Sequence, residues 1–239
     1  MKMNLRDILF IDIETVPVCS SFDQLSPGLQ KHWRHKAGFL YDAEHLPSEQ
    51  DSFLSRAGVY SEFGKVVCIG LGIVVMRDNK EKLFLKSIAE DDEKSLLKKF
   101  ASVIDELLET HTSIVFGGHN IKEFDLPFLC RRFLINGLPL PLIMQIQGKK
   151  PWEVHHLDTL EMWKFGDYKH YTSLDLLAQV LGVPSPKDDM DGSMVGQAYW
   201  ENNDLKSISK YCLKDVHTTC SVYLKLIGHP ESPLEPLYV

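Results

Sequence analysis

Ile8-Leu9-Phe10-Ile11-Asp12-Ile13-Glu14-Thr15 is the run from which the rest of this chain is read. Side chains alternate faces along a strand, so Ile8 and Phe10 share a face with Asp12 and Glu14, while Leu9, Ile11 and Ile13 point the other way. Apolar residues on both faces place this strand, over residues 7 to 14, at the centre of a sheet. Two carboxylates on one face of an apolar strand are costly without a counter-charge. The bland alternative is a strand that simply ends in polar residues.

Outward from this strand, residues 16 to 64 break into polar, aromatic and Pro/Gly-containing sequence, too long for an ordinary connection. This stretch is expected to be a partly helical insertion. Order returns with the apolar run over 66 to 75, then Asp78-Asn79 as a turn and a third strand over 82 to 88, so that three strands form a meander. Apolar residues at helical spacing follow between Glu90 and Thr110. Short strands are expected over 113 to 116 and 154 to 157, and a helix over 126 to 135 that Asn136-Gly137 ends. Thr172 with Asp175 reads as a capping box for the next helix, and the final helix runs from about 204 to 227.

With 239 residues, 44% hydrophobic and 25% charged, one α/β core is expected over 1–239. The net charge of -7 argues against a broad basic surface for nucleic acid. It does not exclude a polyanionic substrate, because divalent cations at an acidic cluster reverse the local sign. Five cysteines at scattered spacings read as reduced, mostly buried thiols. Neither a signal peptide nor an apolar run near the ~20 residues of a membrane span is seen, so the cytoplasm is the expected location, without membrane contact.

Two further acids draw notice. Asp125, in Asp125-Leu126-Pro127, reads by itself as a helix N-cap with proline in the first turn. Asp215 lies on the inward stripe of the last helix, marked by Ile208, Cys212, Thr219, Val222 and Leu226. Tyr211 is four residues before it, on the same helix face. Alone, Tyr211 reads equally as a core aromatic with a bonded hydroxyl. Four acids from separate segments suit hydrolysis of a phosphodiester by two divalent cations about 4 Å apart.

Phe10-Ile11-Asp12-Ile13-Glu14-Thr15, Asn120-Ile121-Lys122-Glu123-Phe124-Asp125 and Tyr211-Cys212-Leu213-Lys214-Asp215 together resemble the three exonuclease motifs of the DEDD superfamily, tyrosine subtype. Their wording and order are most similar to the proofreading domain of family-B DNA polymerases and to a bacterial group of predicted stand-alone 3′ to 5′ exonucleases related to it. Each motif is weak alone, and three in order are specific. The histidine subtype places its base five residues before the last acid, where this chain has Lys210.

The resemblance implies a ribonuclease H-like fold, a mixed five-stranded sheet flanked by helices. It implies that Asp12, Glu14 and Asp215 hold one cation, that Asp12 bridges to a second and Asp125 reaches that second one, the ions being Mg²⁺ or Mn²⁺. Tyr211 would orient the attacking water, and Asn120 and Phe124 would fix a loop and pack beside the terminal nucleotide; loop capping and core packing explain those two equally well. The expected substrate is single-stranded nucleic acid with a free 3′ end, DNA favoured over RNA, cut to nucleoside 5′-monophosphates. An exoribonuclease of RNA 3′-end maturation and a non-catalytic binding module of the same fold are the competing readings. Proofreading would be done in trans for a replication or repair partner, since the residues after Ile227 are too few for a polymerase domain.

Two segments could grip a strand: Lys31-His32-Trp33-Arg34-His35-Lys36 and Lys164-Phe165-Gly166-Asp167-Tyr168-Lys169-His170-Tyr171. For each, a solvated surface with a packed aromatic is the favoured reading. Lys149-Lys150 and Arg131-Arg132 are weaker signals. Asp158 would either support the site or start a helix.

Overall fold

A computed structural model describes residues 4–42, 45, 47–111, 113–167, 169, 171–185 and 190–239. Strand β1 is Ile8–Pro17. Helices α1, Pro27–Leu40, and α2, Glu49–Arg56, follow it. β2, Gly64–Arg77, and β3, Lys80–Ala89, lead to α3, Glu93–Thr110. Then come β4, Val115–Gly118, α4, Asp125–Ile135, β5, Leu157–Asp158, and α5, Thr159–Lys164. Helices α6, Leu174–Leu181, α7, Val195–Trp200, and α8, Leu205–Leu226, precede β6, Glu235–Tyr238.

The six strands form one mixed sheet in the order β5-β4-β1-β2-β3-β6. β1, β2 and β3 are the antiparallel meander; β4 joins β1 in parallel and carries β5 as one edge, and β6 joins β3 in parallel as the other. The expected five strands become six because the C-terminal residues pair with β3. That strand is short, contains Pro236 and lies at an edge, where a missing N–H is tolerated. β5 falls on 157–158 rather than 154–157. β1 runs past its expected end to Pro17, with a register shift between Glu14 and Thr15.

The alternation along β1 builds the two layers. Leu9, Ile11 and Ile13 pack with Leu96, Phe100, Leu126, Leu129 and Phe133 from α3 and α4. Ile8 and Phe10 pack on the other side with Leu213, Val216, Cys220 and Tyr223 of α8. Gly70 and Gly72 let α8 press on the sheet: a Cβ at Gly70 would lie 2.8 Å from Val216 Cγ2 and 2.9 Å from Cys212 Sγ, and one at Gly72 2.6 Å from Val216 Cγ1. α3 and α4 are tied by a buried ion pair, Arg132 to Glu93, at 2.8 and 2.5 Å.

The insertion has a core of its own. Trp33 is fully buried among Phe22, Leu25, Phe53, Ala57 and Phe63, and its indole N–H donates to Ser52 Oγ at 3.0 Å. The capping box expected at Thr172 is instead a Ser173 cap, whose Oγ accepts from Leu176 N at 3.3 Å, while Asp175 receives the Ser185 hydroxyl at 2.5 Å. All five cysteines are free, and Cys68, Cys212 and Cys220 are buried. No described helix is long and apolar enough to cross a membrane.

Candidate active site

β1 and the first half of α8 meet where the sheet sheds its apolar character. Asp12 and Glu14 follow Ile8 and Phe10 on the face that α8 covers, and Tyr211 to Asp215 occupies the turn of α8 above them. Asp12, Glu14 and Cys212 each offer a ligand atom within 4.8 Å of the others. The Cys212 thiol donates to Asp12 Oδ2 at 3.4 Å. Asp215 is buried beside this group, and its charge acts on the Tyr211 phenol one turn earlier in α8.

Asp125 arrives from the opposite layer. Its Oδ1 accepts the Ile13 backbone N–H at 3.2 Å. β4 pairs only with Ile8 to Phe10, so this edge of β1 is free beyond Phe10, and the carboxylate takes the place of a neighbouring strand. The N-cap of α4 is Phe124, without a side-chain cap bond, so Asp125 is not the helix cap that its sequence context suggests.

Charge and burial work against each other here. Burial first, then mutual repulsion with Asp215 and Asp125, holds the Asp12 carboxyl well above the usual carboxylate range. Glu14 is raised in the same way, by burial and then by Asp12 and Asp215. Burial pushes Asp125 up to about 7, although its own and the Ile13 N–H groups oppose the shift. Burial and the surrounding acids lift the Tyr211 phenol far above its ordinary value. A set of oxygen donors that destabilise one another as anions suits hard divalent cations, whose charge would oppose the rise of each carboxyl.

A groove opens from Glu14. Its inner part, about 260 Å³, lies between Leu54, Gly58 and Val59 of the insertion and Gly192, Ser193 and Gly196 of the 192–200 segment, with Phe124 at its rim. It continues past Pro17 and Leu54 into an outer part of about 430 Å³ walled by Trp200, Gln197, Asp51 and Glu201. Among the described residues, no lysine or arginine lines either part. Asn120 has a left-handed backbone, φ 62°, and its carbonyl accepts from Glu123 N and Phe124 N, closing the turn that leads to Asp125.

The sequence reading missed three contributors to this region. Cys212 was read only as a buried thiol, though it lies three residues before Asp215 on one helix face. The 192–196 wall carries glycine and serine, which give no periodic signal. Leu54 and Val59 are exposed apolar residues whose role depends on what they face.

Other expected contacts fall elsewhere. In the 31–36 run, Trp33 is core, Arg34 pairs with Glu49 at 2.5 Å and Lys36 lies 3.8 Å from the Tyr60 ring centroid. Of the 164–171 segment, Phe165 and Tyr171 are exposed. Tyr168 and His170 lie outside the described residues. Arg132 is committed to Glu93, whereas Arg131 and Lys149 line a separate cavity of about 270 Å³ with Lys122. His156 is neutral and structural, its pKa lowered to about 4 by burial, accepting from Phe116 N and donating to the Ile143 carbonyl.

Residues 59–232 match the model of a family described as a predicted 3'-5' exonuclease related to the exonuclease domain of PolB. That stretch includes the segments ending in Asp125 and Asp215, while Asp12 and Glu14 precede it. No curated protein matches the chain. Among solved structures, the family B DNA polymerase from the hyperthermophilic archaeon Pyrobaculum calidifontis is similar over 92% of this chain, with a TM-score of 0.53 and 17% identity. The chain spans 24% of that polymerase's length. At that identity the likeness concerns the fold alone, and it agrees with the expected ribonuclease H-like architecture.

Proposed function

The chain belongs to the family of predicted 3'-5' exonucleases related to the exonuclease domain of PolB, and from that premise we propose that it is an active 3′ to 5′ exonuclease of the tyrosine subtype. It would act as one exonuclease domain over 1–239 on single-stranded nucleic acid, DNA in preference to RNA, and release nucleoside 5′-monophosphates. The observation that carries the reading is the gathering of Asp12, Glu14, Asp125 and Asp215, the last three buried, in which the charge of Asp215 raises the pKa values of the other three.

Those four carboxylates would hold two divalent cations, Mg²⁺ or Mn²⁺, which when bound acidify water and stabilise charge on the phosphate under attack. The chain's own groups do the rest. Tyr211 keeps its proton throughout the working pH range, so it orients by hydrogen bonding and does not act as a base. Phe124 and the inner groove, whose described lining holds no cationic side chain, would receive the terminal nucleoside, holding it through its base rather than its phosphate.

The test compares 5′-labelled DNA and RNA single strands of matched sequence, with Mg²⁺ or Mn²⁺, for wild type, Asp12→Ala and Asp215→Ala. Stepwise loss of 3′ nucleotides, faster on DNA and absent in both folded variants, is expected. Unchanged activity in either variant overturns the assignment, and preference for RNA overturns the substrate.

A further inference from the structure

We propose that Asp158 is a positioning residue for the Asp125 side of the acidic cluster, acting by clamping the loop that carries Asn120, Phe124 and Asp125. The proposal deepens the nuclease reading and rests on it for the identity of the cluster, while its deciding measurement, Mn²⁺ binding, does not depend on turnover.

Asp158 ends β5 and caps α5, and its carboxylate is buried. Capping accounts for two bonds, Oδ1 accepting from Leu160 N at 2.9 Å and from Glu161 N at 3.3 Å. Two more come from far back in the chain. Oδ1 accepts from Asn120 N at 3.0 Å and Oδ2 from Lys122 N at 3.2 Å. One carboxylate therefore serves a helix start and a distant loop together, so that the helix-start reading does not exhaust what Asp158 does.

The clamp is reinforced around it. Lys122 Nζ bonds Glu161 Oε2 at 2.7 Å, the Thr159 hydroxyl donates to the Gly118 carbonyl at 3.2 Å, and the His119 ring bridges Thr159 Oγ1 and the Thr172 carbonyl, both at 2.9 Å. Asp125 itself ends the same loop with its carboxylate on Ile13 N. Asp158 thus fixes one end of a seven-residue segment (residues 119–125) whose other end is the carboxylate facing Asp12. Loss of a partner that orients a metal ligand typically costs about 10–100-fold in metal affinity or activity.

Asp158→Ser separates the two duties, because serine is a good N-cap but too short to reach the loop. Mn²⁺ binding by titration calorimetry, thermal unfolding, and KM for a single strand are measured on wild type, Asp158→Ser and Asp158→Ala. For Asp158→Ser, Mn²⁺ affinity is expected to fall about tenfold or more and KM to rise, with unfolding near that of wild type. Wild-type Mn²⁺ affinity in Asp158→Ser, or a loss confined to Asp158→Ala and matched by its lower melting, overturns the proposal. Should Asp158→Ser not fold, Asp158→Asn keeps an acceptor for Asn120, Leu160 and Glu161 but presents an amide NH₂ to Lys122 N. An unchanged Mn²⁺ affinity in that variant overturns the proposal equally. If the wild type hydrolyses no strand, the nuclease reading fails while the Mn²⁺ comparison still decides the role of Asp158.

Discussion

Gly70 lies directly across from Asp12 in the β1–β2 register, and it is also where α8 comes down on the sheet. The two facts are linked: the absent Cβ leaves room for Cys212 and Val216, and that approach brings Tyr211 and Asp215 over the two acids of β1.

Gly70→Ala should therefore act on site and stability together. The added methyl would meet Val216 and Cys212, neither of which is the loose end of a long side chain. A loss of about 1–3 kcal/mol is expected from overpacking, read by chemical denaturation, together with a fall in kcat. Wild-type stability with wild-type kcat would show that α8 does not need this contact.

Tyr211→Phe keeps the ring and removes the hydroxyl whose proton the neighbouring Asp215 helps to hold. Turnover should fall about 10–100-fold, as for loss of a partner that orients a ligand. Because the phenol stays protonated in both ground state and reaction, the pH–rate profile should keep its shape. A profile whose alkaline limb moves in the variant would mean that Tyr211 titrates and the orienting role is wrong.

The pH dependence of the metal-free protein has a definite sign. Asp125 titrates near 4 when unfolded and at about 7 when folded. The folded state thus keeps a proton that the unfolded state releases, and the stability this contributes is full below pH ~4 and lost as pH rises through 7. Buried His156, lowered to about 4, acts oppositely in the acid range, so the comparison must isolate Asp125. In chelator, Asp125→Asn should gain on wild type between pH 5 and 8, by on the order of 3 kcal/mol, as followed by urea unfolding. A gap between the two that does not change with pH counts against the raised carboxyl.

Gly196 sits in the groove wall where a Cβ would meet nothing within 4 Å. Gly196→Phe should fill the groove without disturbing the fold, raising KM for single strands at least tenfold while Mn²⁺ affinity is unchanged, since base contacts of this kind contribute ~1–3 kcal/mol each. An unaltered KM would place the terminal nucleoside elsewhere.

The order of β1 to β5 with α3, α4, α6 and α8 was legible in the sequence because apolar spacing states which face of a strand or helix is buried, whereas the short α5 and α7 and the two helices of the insertion were not placed. Asp12 with Glu14, and Tyr211 with Asp215, were legible as pairs because each lies within one element, where the period alone fixes a shared face. The sixth strand and the Ser173 cap were not, because an edge strand of four residues and a choice between adjacent hydroxyls carry too little local preference. Nor could sequence choose between the two readings of Asp125 and Asp158. A carboxylate that caps its own helix and one that reaches across the molecule have the same neighbours in the chain. What tertiary structure alone decided was which backbone N–H each carboxylate meets: Ile13 for Asp125, and both Asn120 and Lys122 for Asp158. Those partners are set by how the α4 layer and β5 pack against β1 and β4, a matter of long-range packing that local periodicity does not encode.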